Sequence, residues 1–174
     1  MENLKWFERD FNFSTTQNIF PSIIERLRGT PARLDEKLLF IHEDVASERV
    51  NNTWTIKENI GHLTDLEPLW QQRLEDIKQS KQELTPTDLD NTKTNRANHN
   101  SKPLCVLLRD FRAIRTITLA QLEDIDEALV FKSALHPRLK TPMRTMDLFL
   151  FVADHDDHHL ARITELIRLL NRKI

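Results

Sequence analysis

The chain has 174 residues, of which 39% are hydrophobic and 30% charged, and its formal net charge is −2. This length suits a single domain, 1–174, and the near-neutral charge disfavours a nucleic-acid partner. One cysteine excludes an intrachain disulfide, and two glycines exclude glycine-rich phosphate loops. Because no membrane span or signal peptide is visible, we expect a cytoplasmic protein with no membrane partner.

Aromatic side chains are concentrated at the start of the chain, which carries Trp6, Phe7, Phe11, Phe13 and Phe20. We interpret this segment as a lid over one end of the core, and a surface for a partner is the alternative. The first long helix is predicted over residues 23–42, with Pro21 in its first turn. Pro31 interrupts the helical spacing, so this helix is expected to be kinked or split.

The second predicted helix begins with a capping box, Thr55-Ile56-Lys57-Glu58, and runs to about Gln79. Pro68 predicts a bend in it just beyond His62. The following spacer, residues 80–103, is too long for a tight hairpin and is therefore either a crossover or a functional segment.

The third predicted helix covers residues 103–122, and a connector follows over residues 123–144. Cys105 is interpreted as a small core residue rather than a nucleophile, because no basic group lies beside it in sequence. Thr145 is the predicted N-cap of a fourth helix that ends near Asn171, with Asp147 in its first turn. Four helices with one core and no sheet predict an all-α fold, a four-helix bundle.

The fourth helix carries two histidines on its predicted buried face. Steps of three and four residues define that face as Leu148, Val152, His155, His159, Ile163, Leu166 and Leu170. At this spacing both imidazoles can converge on one metal ion, and hydrogen-bonded core histidines are the alternative. His62, on the second helix beside Gly61, is the candidate third ligand, and glycine there allows a close approach.

Three histidine ligands leave a coordination position open, as in catalytic metal sites. Asp65 is a candidate to orient His62, with a solvated helix face as the alternative. His158 is placed at the rim of the site, and both His158 and Arg162, four residues further on, are candidates to support the histidine ligands. His136 is interpreted as an exposed turn residue, although a loop position near the open end of the bundle would let it reach the site.

Two motifs carry a family resemblance: Trp54-Thr55-(x)2-Glu58-(x)3-His62-Leu63 and His155-(x)3-His159-(x)3-Ile163. Together they resemble the DinB/YfiT-like superfamily over about residues 20–174. The resemblance implies a DinB-type four-helix bundle, often a homodimer. It also implies one divalent ion, nickel or zinc, held by His62, His155 and His159. Arg162 departs from the glutamine that relatives often carry there.

Some relatives are thiol S-transferases, so the resemblance favours thiol transfer to a small electrophile, with a low-molecular-weight thiol as co-substrate. A metal-dependent hydrolase is one alternative, because bound water can be activated in the same way. A non-catalytic metal-binding bundle with a role in stress response is the other alternative.

Overall fold

The computed structural model describes residues 6–170. Its four long helices confirm the predicted all-α bundle. They are α1 (Phe20–Leu38), α3 (Ile56–Lys78), α5 (Leu104–Glu123) and α7 (Thr145–Leu170). Both α1 and α3 pack against α5 and α7, so the four helices form a closed ring around the interior.

Short elements occupy the predicted connectors. They are α2 (Glu43–Ser47), α4 (Thr92–Arg96), α6 (Glu127–Phe131), β1 (Ser133–Leu135) and β2 (Pro142–Arg144). The two strands pair antiparallel, with Ala134 opposite Met143, so the prediction of no sheet was wrong. Strands of three residues are too short to show the alternation that predicts a strand from sequence.

Proline does not split α1. The missing N–H of Pro31 leaves the Leu27 carbonyl without its helical donor. The Arg115 guanidinium of α5 donates to that carbonyl from Nη1 at 3.3 Å. The predicted split of α1 was therefore wrong, whereas the alternative, a kink at Pro31, stays a prediction.

The helix ends follow the predicted signals with one shift. The Thr55 hydroxyl accepts the N–H of Glu58 and the Glu58 carboxylate accepts the N–H of Thr55, which confirms the capping box. The last long helix instead begins at Thr145, and the carboxylate of Asp147 accepts the N–H of Arg144 at 3.0 Å. The predicted cap at Thr145 was thus one residue late, and the predicted end near residue 171 lies outside the described residues.

Apolar side chains form two clusters, one toward each end of the bundle, and not the predicted single core. A buried polar layer separates the clusters, and each long helix contributes to it: Thr30, Glu67, Arg115 and Asp156. The Arg115 guanidinium donates to Glu67 Oε1 at 2.9 Å and to Asp156 Oδ2 at 2.6 Å. The layer therefore joins all four helices through charged groups that are at most 1% exposed.

Candidate metal centre

Three imidazoles meet beside the polar layer. His155 and His159 come from adjacent turns of α7, and His62 comes from the second turn of α3. One ring nitrogen from each lies within 4.8 Å of the other two, and all three side chains are buried. The structure therefore brings together the three residues predicted from the sequence.

Hydrogen bonds fix the proton of His159. Its Nδ1 lies 2.8 Å from Asn59 Oδ1, while the Asn59 amide nitrogen donates to the Thr55 carbonyl. Since an amide oxygen can only accept, Nδ1 of His159 carries the proton and Nε2 keeps a lone pair. The orientation of this metal-ligand candidate is thus set by Asn59, which is itself held by the carbonyl of the N-cap residue Thr55.

A second chain of hydrogen bonds fixes His62. Its Nδ1 lies 3.0 Å from the Thr94 hydroxyl, which itself donates to Asp65 Oδ2 at 2.9 Å. The hydroxyl therefore accepts from Nδ1–H, and Nε2 of His62 also keeps a lone pair. Asp65, the predicted partner of His62, is thus linked to it through the Thr94 hydroxyl and not by direct contact.

His99 completes this arrangement, and the sequence analysis missed it. Its Nε2 donates to Asp65 Oδ2 at 2.8 Å, and its ring is packed against Gly61. Glycine thus permits the close approach that was expected, and the approaching group is His99. The signal available in the sequence was a glycine inside a helix, Gly61, together with a histidine in the spacer that follows that helix, His99.

Burial keeps the three imidazoles neutral. It lowers the pKa of His62 to about 4 and holds the pKa of His155 and of His159 well below the ordinary value, with neighbouring histidines adding to the effect. Neutral imidazole is the form that binds a metal ion.

The geometry fits a divalent ion. Nε2 of His155 lies 3.2 Å from Nε2 of His159, which carries a lone pair, so either a proton or a cation must lie between them. Two nitrogen ligands of a tetrahedral zinc ion are separated by about 3.3 Å. Imidazole nitrogen suits zinc, nickel and copper ions.

The three histidines open onto a cavity of about 270 Å³. Its apolar wall includes Trp6, Trp54, Leu66, Trp70 and Phe151. This volume accommodates a small organic molecule beside the histidines.

Aromatic residues from the start of the chain close one side of this cavity. The Trp6 ring lies 4.9 Å from Phe151 and 5.0 Å from His155 between ring centroids, and Phe11 packs on Phe151 at 4.8 Å. This packing agrees with the lid interpretation. The residues before Trp6 lie outside the described part of the chain.

Both of the other predicted supporting residues, His158 and Arg162, line the cavity. His158 is half-buried, and its ring stands edge-on to His159 at 5.3 Å. Arg162 also lines it and donates to Thr53 and Glu165. Neither makes a hydrogen bond to the three histidines within the described residues, so neither fixes their orientation.

Two interpretations of single residues were wrong. His136 is 2% exposed and lines the cavity, because the β1–β2 hairpin folds it inward against Arg73. Cys105 is exposed and does not line the cavity, since it lies on the outer face of α5. The cavity therefore has no thiol from this chain among its described residues.

Comparison with known families decides the classification. The DinB superfamily profile matches residues 13–163. The chain belongs to the DinB superfamily. A search of curated proteins gives no match.

A solved structure shares the fold of this DinB-superfamily protein. YfiT from Bacillus subtilis, described as a probable metal-dependent hydrolase with an unusual four-helix bundle topology, superposes with a TM-score of 0.79. Sequence identity is 19%, and the alignment covers 94% of each chain. At this identity the likeness shows the fold alone. No helix within residues 6–170 combines the length and apolarity needed to cross a bilayer.

Proposed function

We propose that the protein is a metal-dependent enzyme that acts on a small molecule. The observation that carries this proposal is the convergence of His62, His155 and His159 on an aromatic cavity. The three residues provide nitrogen ligands from one side only, so a divalent ion there would face the cavity with a coordination position open. Nickel and zinc are the proposed ions.

A divalent ion in such a site supplies a nucleophile at neutral pH, because it lowers the pKa of a bound water or thiol. The chain's residues hold this chemistry in place. Asn59 and Thr94 keep the Nδ1 protons of His159 and His62 and aim both Nε2 atoms inward. Burial, with Arg9 and Arg162 nearby, lowers the pKa of His158, so its neutral ring at the cavity wall can accept a proton.

Hydrolysis is the reaction that we place first. It needs only water as the second reactant, and the fold is shared with a protein described as a probable metal-dependent hydrolase. Transfer of an external thiol to a small electrophile is the second candidate. It is favoured by the position of Cys105, which is the only thiol of the chain and lies away from the cavity.

Metal content tests the first part of this proposal. Elemental analysis of the purified protein should give about one divalent ion per chain. His159→Ala and His62→Ala should lose the ion, whereas the control His42→Ala should retain it, because His42 is exposed and lies away from the cavity. Retention of the ion by both site variants would place the metal elsewhere.

Activity separates the reactions. Metal-loaded protein should hydrolyse esters or amides without thiol if hydrolysis is correct. Conjugation of a haloarene that needs an added thiol, and that is lost in His159→Ala, would instead establish thiol transfer. Metal binding with neither activity would support the non-catalytic alternative. The homodimer and the cytoplasmic location stay predictions, and sedimentation of the purified protein tests the first.

A further inference from the structure

The cavity has a second polar cluster beyond Trp70. The Trp70 ring lies 5.9 Å from the His155 ring and 5.4 Å from the Arg73 guanidinium. Arg73 and His136 both line the cavity there, and both are at most 2% exposed. One aromatic ring therefore contacts both this cluster and one of the three histidines.

Arg73 is a buried cation that lacks an ion-pair partner within residues 6–170. Its Nε donates to the Thr85 carbonyl at 2.9 Å, but its Nη2 is buried without a hydrogen-bond partner. The nearby Asp76 carboxylate is occupied by Lys81 and by the N–H of Thr85. Because an uncompensated buried charge is costly, a guanidinium in this position calls for an anion.

His136 presents a second donor to the same point. Its Nδ1 accepts the backbone N–H groups of Arg138 and Leu139 at 3.2 and 3.1 Å. A neutral imidazole therefore carries its proton on Nε2, which lies 3.3 Å from Nη1 of Arg73. Both atoms are donors, so they cannot satisfy one another, and an acceptor from outside the protein would have two donors within 3.3 Å of each other.

The charges around His136 also favour its neutral form. Burial and the positive charges of Arg73, Arg138 and Lys140 lower the pKa of His136 to about 4, so it is neutral at pH 7. Among the described residues that line the cavity, the only carboxylate is that of Asp88, which accepts the N–H groups of two neighbouring residues. Within residues 6–170, no carboxylate thus fills the acceptor position at Arg73.

We propose that Arg73 and His136 form a carboxylate-binding subsite and that the small molecule acted on here is an organic carboxylate with an apolar or aromatic body. The Arg73 guanidinium would donate to the carboxylate, whose geometry it suits, and His136 Nε2–H would donate to one of the carboxylate oxygens. The apolar body would lie along Trp70 toward the three histidines. This inference deepens the proposed function, on which it rests for the reaction, but it predicts binding that needs no metal.

A titration of the full chain with two probes tests the subsite. Chelator-treated protein is titrated with 3-phenylpropionate and with the neutral 3-phenylpropanamide at physiological salt, by calorimetry or ligand-observed NMR. The carboxylate should bind with a Kd in the millimolar range or tighter, and the amide about tenfold more weakly. Equal binding of the two probes, or no binding of the carboxylate, would overturn the proposal.

Two variants locate the binding. In Arg73→Gln the side-chain amide can still reach the Thr85 carbonyl while the fork is lost, so carboxylate affinity should fall about tenfold or more. His136→Asn retains an acceptor for the backbone N–H groups and removes the inward donor, and should also weaken binding if Arg73→Gln does not fold. Arg109→Gln is the matched control, because that exposed arginine pairs with its neighbour Asp110.

The proposed metal site and the proposed carboxylate subsite can be refuted independently. If no metal binds to the three histidines, the titration of chelated protein is unaffected. If the carboxylate binds only to metal-loaded protein and binds Arg73→Gln as tightly as wild type, the carboxylate is a ligand of the ion and the subsite does not exist.

Discussion

The contact between Gly61 and His99 predicts that alanine substitution has opposite effects on stability at the two glycines of the chain. Both glycines of the chain lie inside long helices, Gly29 in α1 and Gly61 in α3. A Cβ added at Gly61 would lie less than 3.0 Å from three atoms of the His99 imidazole, whereas one added at Gly29 would meet only Arg33 Nε at 3.9 Å. Alanine therefore fits at one site and overlaps a buried ring at the other.

The expected magnitudes follow from these contacts. Glycine inside a helix is less favourable than alanine by roughly 0.5–1 kcal/mol, so Gly29→Ala should be more stable by about that amount. Gly61→Ala has the same intrinsic gain but overpacks the interior, which costs about 1–3 kcal/mol. His99 is held by its hydrogen bond to Asp65, so the ring can move only by losing that bond, at an additional cost of about 1.5–3 kcal/mol. With both costs and the helix gain taken together, we expect Gly61→Ala to be less stable than wild type by about 1.5–5.5 kcal/mol.

Urea unfolding of the chelator-treated variants measures this difference. The double variant Gly61→Ala/His99→Ala should lose less stability than the two single changes together, because removing the ring removes the overlap. A Gly61→Ala protein as stable as Gly29→Ala would show that the ring does not occupy this space.

Three other expectations follow from single side chains. Thr94→Val removes the acceptor of His62 Nδ1–H, so metal affinity should fall by roughly 10- to 100-fold. Competition with a chromophoric chelator measures this affinity, and an unchanged value would show that the bond does not orient the ligand. His136 has a folded-state pKa of about 4, below its ordinary value, so as the pH falls from 6.5 toward 4 the unfolded state gains a proton that the folded state lacks and stability decreases. His136→Asn should flatten that decline by up to about 1.4 kcal/mol per pH unit in urea unfolding at several pH values, and an identical slope would contradict the neutral buried ring. Arg115→Met should reduce the free energy of unfolding by about 3–5 kcal/mol, because two buried carboxylates lose their counter-charge. A thermal unfolding transition at the wild-type temperature would show that the polar layer does not depend on the charge of Arg115.

Local patterns were sufficient for the helices and for part of the site. Hydrophobic spacing and the capping box at Thr55 depend on residues within a few turns of one another, so the sequence predicts the long helices. His155 and His159 could be assigned to the interior of α7 for the same reason, because the apolar steps on either side pass through both positions. Hydrophobic spacing alone could not predict that His62 lies near α7, because that proximity is a property of helix packing. The family resemblance supported this assignment.

Contacts between distant segments decided what the sequence left open. Glu67, Arg115 and Asp156 have the composition of a solvated helix face, and only the packing of four helices shows that they neutralise one another in the interior. His136 looks like an exposed turn residue until the β1–β2 hairpin places it against Arg73. Helical periodicity records which side of a helix is buried, but not which group on another segment meets it there. The partners that orient the histidines and shape the cavity are therefore determined by the tertiary structure.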